Sequence, residues 1–387
     1  MYPALAVLQA VVQEDSDTYE RIAYEDHFHS KDSAPSALEE LLWVGGINGM
    51  EEDLVKRAGI NYEAIPAAGV HGVGLRALPG NMWKLFQGFL ASMRLLRNFH
   101  PDVLFFTGGY VAVPMALAGR MPLIGTARPK NMLYVPDIEP GLALKTLARF
   151  ADRIAVTSRE SEIYFTGGKQ VEVTGYPTRV DLQRWHRDEA RKILGVSVDL
   201  PTMLVLGGSK GARSINRALL GALPHLLGDL QVIHITGELD WSEVENARKD
   251  LANLVKPELL ERYRIYMYLH HEMGAALTIA DFVLSRAGAS ALGEYPLFGL
   301  PAILVPYPHA WKYQQVNAAY LAQHEAAIVI QDEDLHERLV PVVNEIINNP
   351  HRLEKMSSAM SSLANPYAAK KIANKMFELA SGRGGTR

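Results

Sequence analysis

The residues best suited to chemistry in this chain are Gly207-Gly208-Ser209-Lys210-Gly211-Ala212-Arg213. They follow the apolar run Leu204-Val205-Leu206 and precede a helical pattern that starts at Ala212, with Ile215 and Leu219 on one face. Strand, glycine turn and helix N-terminus together make a phosphate cradle. Glycine lets the backbone approach an anion, and the first helical N–H groups point at it. Ser209 can cap the helix or donate its hydroxyl to a phosphate oxygen. An ordinary βα turn that uses glycine only for tight packing has the same local spelling, so the rest of the chain must decide.

Further chemistry-bearing residues follow later apolar runs: Ser285-Arg286-Ala287-Gly288-Ala289-Ser290-Ala291-Leu292-Gly293-Glu294, then Pro306-Tyr307-Pro308-His309, then Gln314-Gln315-Val316-Asn317. In an open parallel sheet these positions lie beyond the carboxyl ends of the strands, where ligands bind. Three helix starts aimed at one crevice bring backbone donors, a carboxylate one turn into a helix, and side-chain amides. That set suits a nucleotide diphosphate sugar: the turn and helix ends take the phosphates, Glu294 accepts ribose hydroxyls, and Gln314 bonds sugar hydroxyls. Singly, Glu294 is a charge favoured at a helix N-terminus, and Gln314 with Gln315 is a solvated helix start. Jointly they read as a site.

The elements that must position these residues follow from hydropathy. The chain has 387 residues, 48% hydrophobic and 21% charged, as expected of a soluble globular protein of two or three domains. A formal net charge of −4 argues against nucleic acid as a partner of the whole chain. The absence of cysteine excludes disulfides, zinc–thiolate sites, iron–sulfur clusters and cysteine nucleophiles, and suits a cytosolic protein. No apolar run reaches the roughly 18 residues of a membrane span, so any membrane contact is expected to be peripheral. Met1 to Gln13 lacks a signal peptide's basic start and cleavage site.

Met1 to Val12 reads as a helix with Pro3 near its start, an unusual opening for an α/β domain. Residues 14–40 read as a polar, exposed insertion, and His27 with His29 as part of a solvated loop. Strands are expected at Leu41 to Gly46, Tyr62 to Ile65, Asp102 to Thr107, Asn131 to Val135, Arg153 to Val156 and Val171 to Thr174, with helices between. Gly69 to Gly74 reads as a mobile glycine loop. The linker helix Arg187 to Leu194 then leads to Pro201, where the pattern restarts, with Ala289 to Phe298 as one of its helices. The alternation predicts two doubly wound parallel-sheet domains in tandem with a cleft between them. The boundaries are 1–178 and 179–365, with 366–380 packing back on the first domain and 381–387 a disordered tail.

The helix Met82 to Phe99 carries two stripes. Met82, Phe86, Phe89, Met93 and Leu96 are expected to face the core. Trp83, Leu90, Arg94 and Arg97, with Lys84 nearby, pair apolar with basic character, as in helices that dock on anionic membranes. A snorkelling basic edge on an ordinary amphipathic helix has the same pattern.

The glycine turn, the Ser285 to Glu294 segment and the His309 to Ala318 segment together resemble the donor-site motifs of the MurG family. These are bacterial N-acetylglucosaminyltransferases that act on undecaprenyl-pyrophosphoryl-N-acetylmuramoyl-pentapeptide and have a GT-B fold of two Rossmann-like domains. Thr107-Gly108-Gly109-Tyr110-Val111 resembles the family's second N-domain glycine loop, and Gly175-Tyr176-Pro177-Thr178-Arg179 the turn whose arginine faces the donor. The resemblance spans nearly the whole chain apart from residues 14–40.

It implies that UDP-GlcNAc is held by Arg179, Gly208, Ser209, Gly211, Ala212, Met273, the run Gly288, Ala289, Ser290, Ala291, Leu292, Gly293 and Glu294, and Gln314 with Gln315. His270 would meet the uracil through its backbone. The acceptor would bind around Gly108, Gly109, Tyr110 and Asp137. Trp83, Lys84, Leu90, Arg94 and Arg97 would face the anionic inner surface of the bacterial plasma membrane, with lipid II for peptidoglycan as the product.

Two departures stand out. The family opens with a strand and a Gly-Gly-Thr-Gly-Gly-His loop directly before the segment matching Met1-Tyr2-Pro3-Ala4-Leu5. Its general-base histidine is therefore expected upstream of Met1, as is the true start. Second, Tyr134-Val135-Pro136-Asp137 stands where the family has His-Glu-Gln-Asn, so Asp137 stands in the place of the asparagine; the catalytic base is left unassigned within the chain, with Asp137 as the one substitute the resemblance offers. No Asp-x-Asp metal site is evident, and this reading requires no metal or other cofactor. The alternatives are a glycolipid glycosyltransferase, a UDP-GlcNAc 2-epimerase, or a non-catalytic nucleotide-sugar-binding protein.

Overall fold

The computed structural model describes residues 2–12, 41–47, 49, 51–69, 76, 78–121, 128–208, 211–308 and 312–382. The expected insertion at 14–40, most of the 69–74 loop, Ser209 and His309 lie outside these.

In chain order the first elements are α1 (residues 2–12), β1 (Leu42–Gly46), α2 (Glu52–Arg57), β2 (Asn61–Ile65), α3 (Leu78–Phe99), β3 (Val103–Phe106) and α4 (Ala112–Ala118). Then come β4 (Lys130–Val135), α5 (Leu142–Ala148), β5 (Arg153–Val156) and β6 (Val171–Val173). α6 (Arg187–Leu194), β7 (Thr202–Leu206), α7 (Arg213–Leu226), β8 (Gln231–Ile235), α8 (Trp241–Leu251), α9 (Pro257–Leu260) and β9 (Tyr263–Tyr266) follow. The last are α10 (Met273–Ile279), β10 (Phe282–Ser285), α11 (Glu294–Phe298), β11 (Ala302–Leu304), α12 (Tyr313–Gln323), β12 (Ala327–Val329), α13 (Leu335–Ile347), α14 (Pro350–Ser362) and α15 (Ala368–Ser381).

The chain forms two compact units. The first comprises Met1–Pro136, Pro140–Pro177 and Tyr367–Arg387; the second comprises Asp137–Glu139 and Thr178–Pro366. In the first unit, β3-β4-β5-β6 form a parallel sheet, and among the described residues β1 pairs only with β2, in parallel. Met132 to Val135 are all buried, the continuous apolar run of a strand covered on both faces. A cavity of about 930 Å³ is lined by Leu42 and Val44 of β1, Val103 and Phe105 of β3, Leu8 of α1 and Phe377 of α15. Among the described residues no strand lies between β1 and β3. α15 is tied to this unit by Glu378 to Arg153 at 3.2 Å and Lys375 to Glu172 at 3.5 Å.

α3 corrects the expected core stripe. Met82 and Phe86 are 57% and 49% exposed; Phe89 and Met93 pack partly against the core, and Leu96 is buried. The helix seats itself instead through Gly88 and Ser92. A Cβ on Gly88 would stand 2.1 Å from the Pro66 carbonyl oxygen, and buried Ser92 returns its hydroxyl to the Gly88 carbonyl at 2.7 Å. Small residues let the backbones approach, and this turns the larger apolar side chains outward.

The second unit is one six-stranded parallel sheet in the order β12-β11-β10-β7-β8-β9. α6, expected to be a linker, buries Ala190 and Leu194 in this unit's core beside Leu182 and Ala276. A left-handed glycine, Gly195 at φ 64°, ends it, the usual helix stop.

Candidate active site

The strand order of the second unit reverses between β7 and β10, and such a switch point opens a crevice beyond the strand ends. The glycine turn leaves β7 there. Gly208 and Gly211 have φ of 90° and 82°, the left-handed region that favours glycine. A Cβ on Gly207 would lie 2.4 Å from the Ala212 Cβ, and one on Gly211 2.4 Å from the Thr236 carbonyl oxygen; one on Gly208 would meet nothing among the described residues within 4 Å. Space is therefore closed beneath the turn and open above it. The Gly211 N–H donates to the Gly208 carbonyl at 2.9 Å, across Ser209 and Lys210. α7 starts at Arg213 with Ala212 in the N-cap position, and among the described residues no side chain caps its first N–H groups.

The segment after β10 is not one helix. Ala289–Leu292 form a 3-10 turn, Gly293 breaks it at φ −130° and ψ −47°, and α11 restarts at Glu294. Pro296 has no N–H to give, which suits the first turn of a new helix and not the interior of an old one. Glu294 is therefore the first helical residue rather than one turn in. Burial pushes its carboxyl up to about 7 from the usual 4.5; Arg179 opposes this and Asp181 adds to it. Arg179 Nη1 lies 3.5 Å from Asp181 Oδ2. The fold thus gathers Arg179, Asp181 and Glu294, which are far apart in sequence. A Cβ on Gly288 would also meet nothing within 4 Å.

α12 supplies the next wall. Gln314 Oε1 accepts the Tyr307 N–H at 2.9 Å, and Gln315 Nε2 donates to Gln331 Oε1 at 3.1 Å. On the face of Gln314, Asn317 is fully buried. It donates to Asp137 Oδ1 at 2.8 Å and the Ala287 carbonyl at 3.1 Å, and accepts the Ile138 N–H at 3.1 Å. Asp137 is thereby held against the second unit's ligand loops. Burial raises its proton affinity and the Asn317 bond opposes that.

Arg286 braces the crevice: Nη1 donates to Asp332 Oδ1 at 2.5 Å and Nη2 to Ser214 Oγ at 2.6 Å, while Ser214 donates to Asp332 Oδ1 at 2.7 Å. Asp332-Glu333-Asp334 has Asp-x-Asp spacing, but Asp332 is committed to Arg286 and Ser214. Among the described residues no group of three or more His, Asp or Glu side chains is placed to hold a metal ion.

Residues 36–156 match the glycosyltransferase family 28 N-terminal domain, and residues 202–374 the glycosyltransferase family 28 C-terminal domain. The UDP-N-acetylglucosamine--N-acetylmuramyl-(pentapeptide) pyrophosphoryl-undecaprenol N-acetylglucosamine transferase of Roseiflexus sp. is 36% identical, over 96% of this chain and 91% of that protein. The chain belongs to glycosyltransferase family 28. An enzyme of the same name from Halothermothrix orenii is 34% identical over 89% of this chain and 92% of its own. Among solved structures, Acinetobacter baumannii MurG aligns over 97% of this chain and 95% of that one with a TM-score of 0.67 at 22% identity. The Neisseria meningitidis UDP-GlcNAc 2-epimerase bound to UDP-GlcNAc aligns over 87% and 91% with a TM-score of 0.61 at 11% identity. These two show the shared GT-B fold of paired α/β domains.

The remaining expected site residues of this family 28 chain fall as follows. His270 is exposed after β9, its ring 4.7 Å from that of Tyr268. Met273 opens α10 and is half-buried. Trp185 Nε1 donates to the His271 carbonyl at 3.1 Å, pinning this loop. In the first unit, Gly108 and Gly109 have φ of 114° and 88°, and the exposed Tyr110 ring lies against Gly69. On α3, Trp83 is 60% exposed beside Phe86, ring centroids 5.6 Å apart, and Leu90, Lys84, Arg94 and Arg97 are exposed as well.

Sequence reasoning did not single out Asp181 or the bonding role of Asn317. Asp181 lies two residues from Arg179, and Asn317 lies i+3 from Gln314, the helical spacing that shares a face.

Proposed function

We propose that this chain transfers N-acetylglucosamine from UDP-GlcNAc to an undecaprenyl-pyrophosphoryl-N-acetylmuramoyl-pentapeptide in one inverting displacement. The observation that carries this is a buried Glu294 beside Arg179 in the same unit whose glycine turn leaves β7 at the sheet's switch point. The curated relatives named above support the same donor and acceptor. In this reading Glu294 takes the ribose hydroxyls, and the open side of Gly208 and Gly288 leaves room for the diphosphate. An acceptor hydroxyl attacks the anomeric carbon as the bond to UDP breaks. The charge left on the diphosphate meets the α7 amides and Arg179. The hydroxyl proton passes to a base, for which Asp137 is the candidate among the described residues. The reaction needs no resident metal in this scheme.

The exposed face of α3 supports peripheral docking on an anionic membrane: aromatic and aliphatic side chains enter the interface, and Lys84, Arg94 and Arg97 meet lipid phosphates. No helix among the described residues is long and apolar enough to cross a membrane.

The test is transfer of labelled GlcNAc from UDP-GlcNAc to the lipid-linked acceptor in vesicles. Labelled lipid product, lost in Glu294→Ala while the fold persists, is the expected result. An epimerised UDP-sugar without lipid product, or full activity in Glu294→Ala, would overturn the reading.

A further inference from the structure

A buried polar chain runs beneath the glycine turn. His234 lies within β8 and is fully buried. Its Nδ1 is 2.8 Å from the Tyr263 hydroxyl, and its Nε2 2.9 Å from Asn216 Oδ1. Asn216 Nδ2 donates to the Thr236 carbonyl and to Asp240 Oδ2, each at 3.0 Å. Both amide hydrogens are thereby used, so Asn216 Oδ1 must accept. It follows that His234 donates from Nε2 and accepts the Tyr263 hydroxyl at Nδ1. Burial fits this neutral tautomer, pushing the imidazole down to about 3 and the Tyr263 phenol up.

The other end of the chain reaches the turn. Asp240 is 3% exposed and takes the Arg213 Nε on Oδ1 at 3.0 Å. Gly211 rests on the same two groups: its missing Cβ would lie 2.4 Å from the Thr236 carbonyl and 3.2 Å from Asp240 Oδ2. Tyr263, His234, Asn216 and Asp240 therefore link β9 and β8 to the last residues of the turn and the first of α7.

The geometry points to Asn216 as the positioning residue of the glycine turn. Its amide fixes the Thr236 carbonyl and the Asp240 carboxylate on which Gly211 and Arg213 seat, and so sets where the N–H groups of Gly211 and of the first turn of α7 meet a diphosphate. Asn216 itself is buried, and its side chain is bonded to His234, Thr236 and Asp240. The inference rests on the proposed reading of the turn as the UDP diphosphate cradle.

The test measures UDP and uridine binding to the full chain by calorimetry. Asn216→Asp keeps the shape and the acceptor toward His234, but sets a carboxylate oxygen against the Thr236 carbonyl and Asp240. UDP binding should weaken about tenfold or more while uridine binding moves less than about twofold, because one buried donor becomes a misplaced acceptor. The exchange Asn216→Asp with Asp240→Asn rebuilds a donor–acceptor pair between the two positions and should recover part of the loss. If Asn216→Asp does not fold, Asp240→Asn alone carries the test, with the same selective loss expected. Equal weakening of UDP and uridine, or an unchanged preference for UDP, overturns the positioning role. A wild-type chain with no preference for UDP over uridine would instead remove the cradle reading, and this inference with it.

Discussion

Glu294→Gln should act in opposite directions on the fold and on the ligand. Burial holds the Glu294 carboxyl at about 7 against an ordinary 4.5. An acid whose folded pKa is raised binds more protons folded than unfolded, so it lowers stability as pH rises through that window. At about 1.4 kcal/mol for each tenfold in proton affinity, the cost is at most about 3.5 kcal/mol, complete above pH 7 and absent below pH 4.5. A neutral amide escapes it. Denaturant unfolding of the variant should therefore show a gain of up to about 3.5 kcal/mol at pH 8 and little change at pH 4. Binding should move the other way. If the ionised carboxylate accepts the ribose hydroxyls, each charge-assisted bond is worth about 1.5–3 kcal/mol, and an amide keeps only one acceptor oxygen. UDP-GlcNAc should bind about tenfold more weakly to the variant at pH 8. Wild-type affinity should rise between pH 6 and pH 8, and the affinity of the variant should stay flat. A variant destabilised at pH 8, or one that binds UDP-GlcNAc as wild type does, refutes the reasoning.

Arg179→Ala removes the cation that opposes the burial of Glu294, so the pH dependence of UDP-GlcNAc binding should move to higher pH and affinity should fall; a profile that stays in place separates the two residues. Gly211→Val drives a Cβ into the Thr236 carbonyl at a left-handed backbone position. It should cost about 1–3 kcal/mol in thermal or denaturant unfolding and abolish tight UDP binding, whereas Gly208→Ala should cost only the backbone part. Trp83→Ser with Phe86→Ser should leave the melting temperature within about 2 °C, because both side chains are already exposed. The same change should strip the protein from phosphatidylglycerol vesicles in co-sedimentation, and retained binding would show that α3 is not the docking face.

The positions of the strands were legible because buried parallel strands spell continuous apolar runs, as Leu204 to Leu206 and Met132 to Val135 do. The switch-point loops were legible for the same reason: each follows such a run. α3 was misread in part because hydrophobic periodicity counts large side chains, while that helix packs through Gly88 and Ser92, whose small size is the point of contact. The Ala289 to Phe298 segment was read as one helix from its apolar pattern although Gly293 and Pro296 are local signals of a restart; the break at Gly293 sets Glu294 at a helix start.

By itself the sequence determined the family, the parallel α/β architecture and the glycine turn with its neighbouring acid and amides. Each of these is written in local residue type and spacing. Only the tertiary structure decided that Arg179 and Asp181 stand beside Glu294 and lift or lower its proton affinity, that Asn317 grips Asp137, and that a neutral His234 reaches the turn through Asn216. Those are contacts between segments tens to more than a hundred residues apart. Their energies come from burial and hydrogen-bond geometry, which no local pattern of residues encodes.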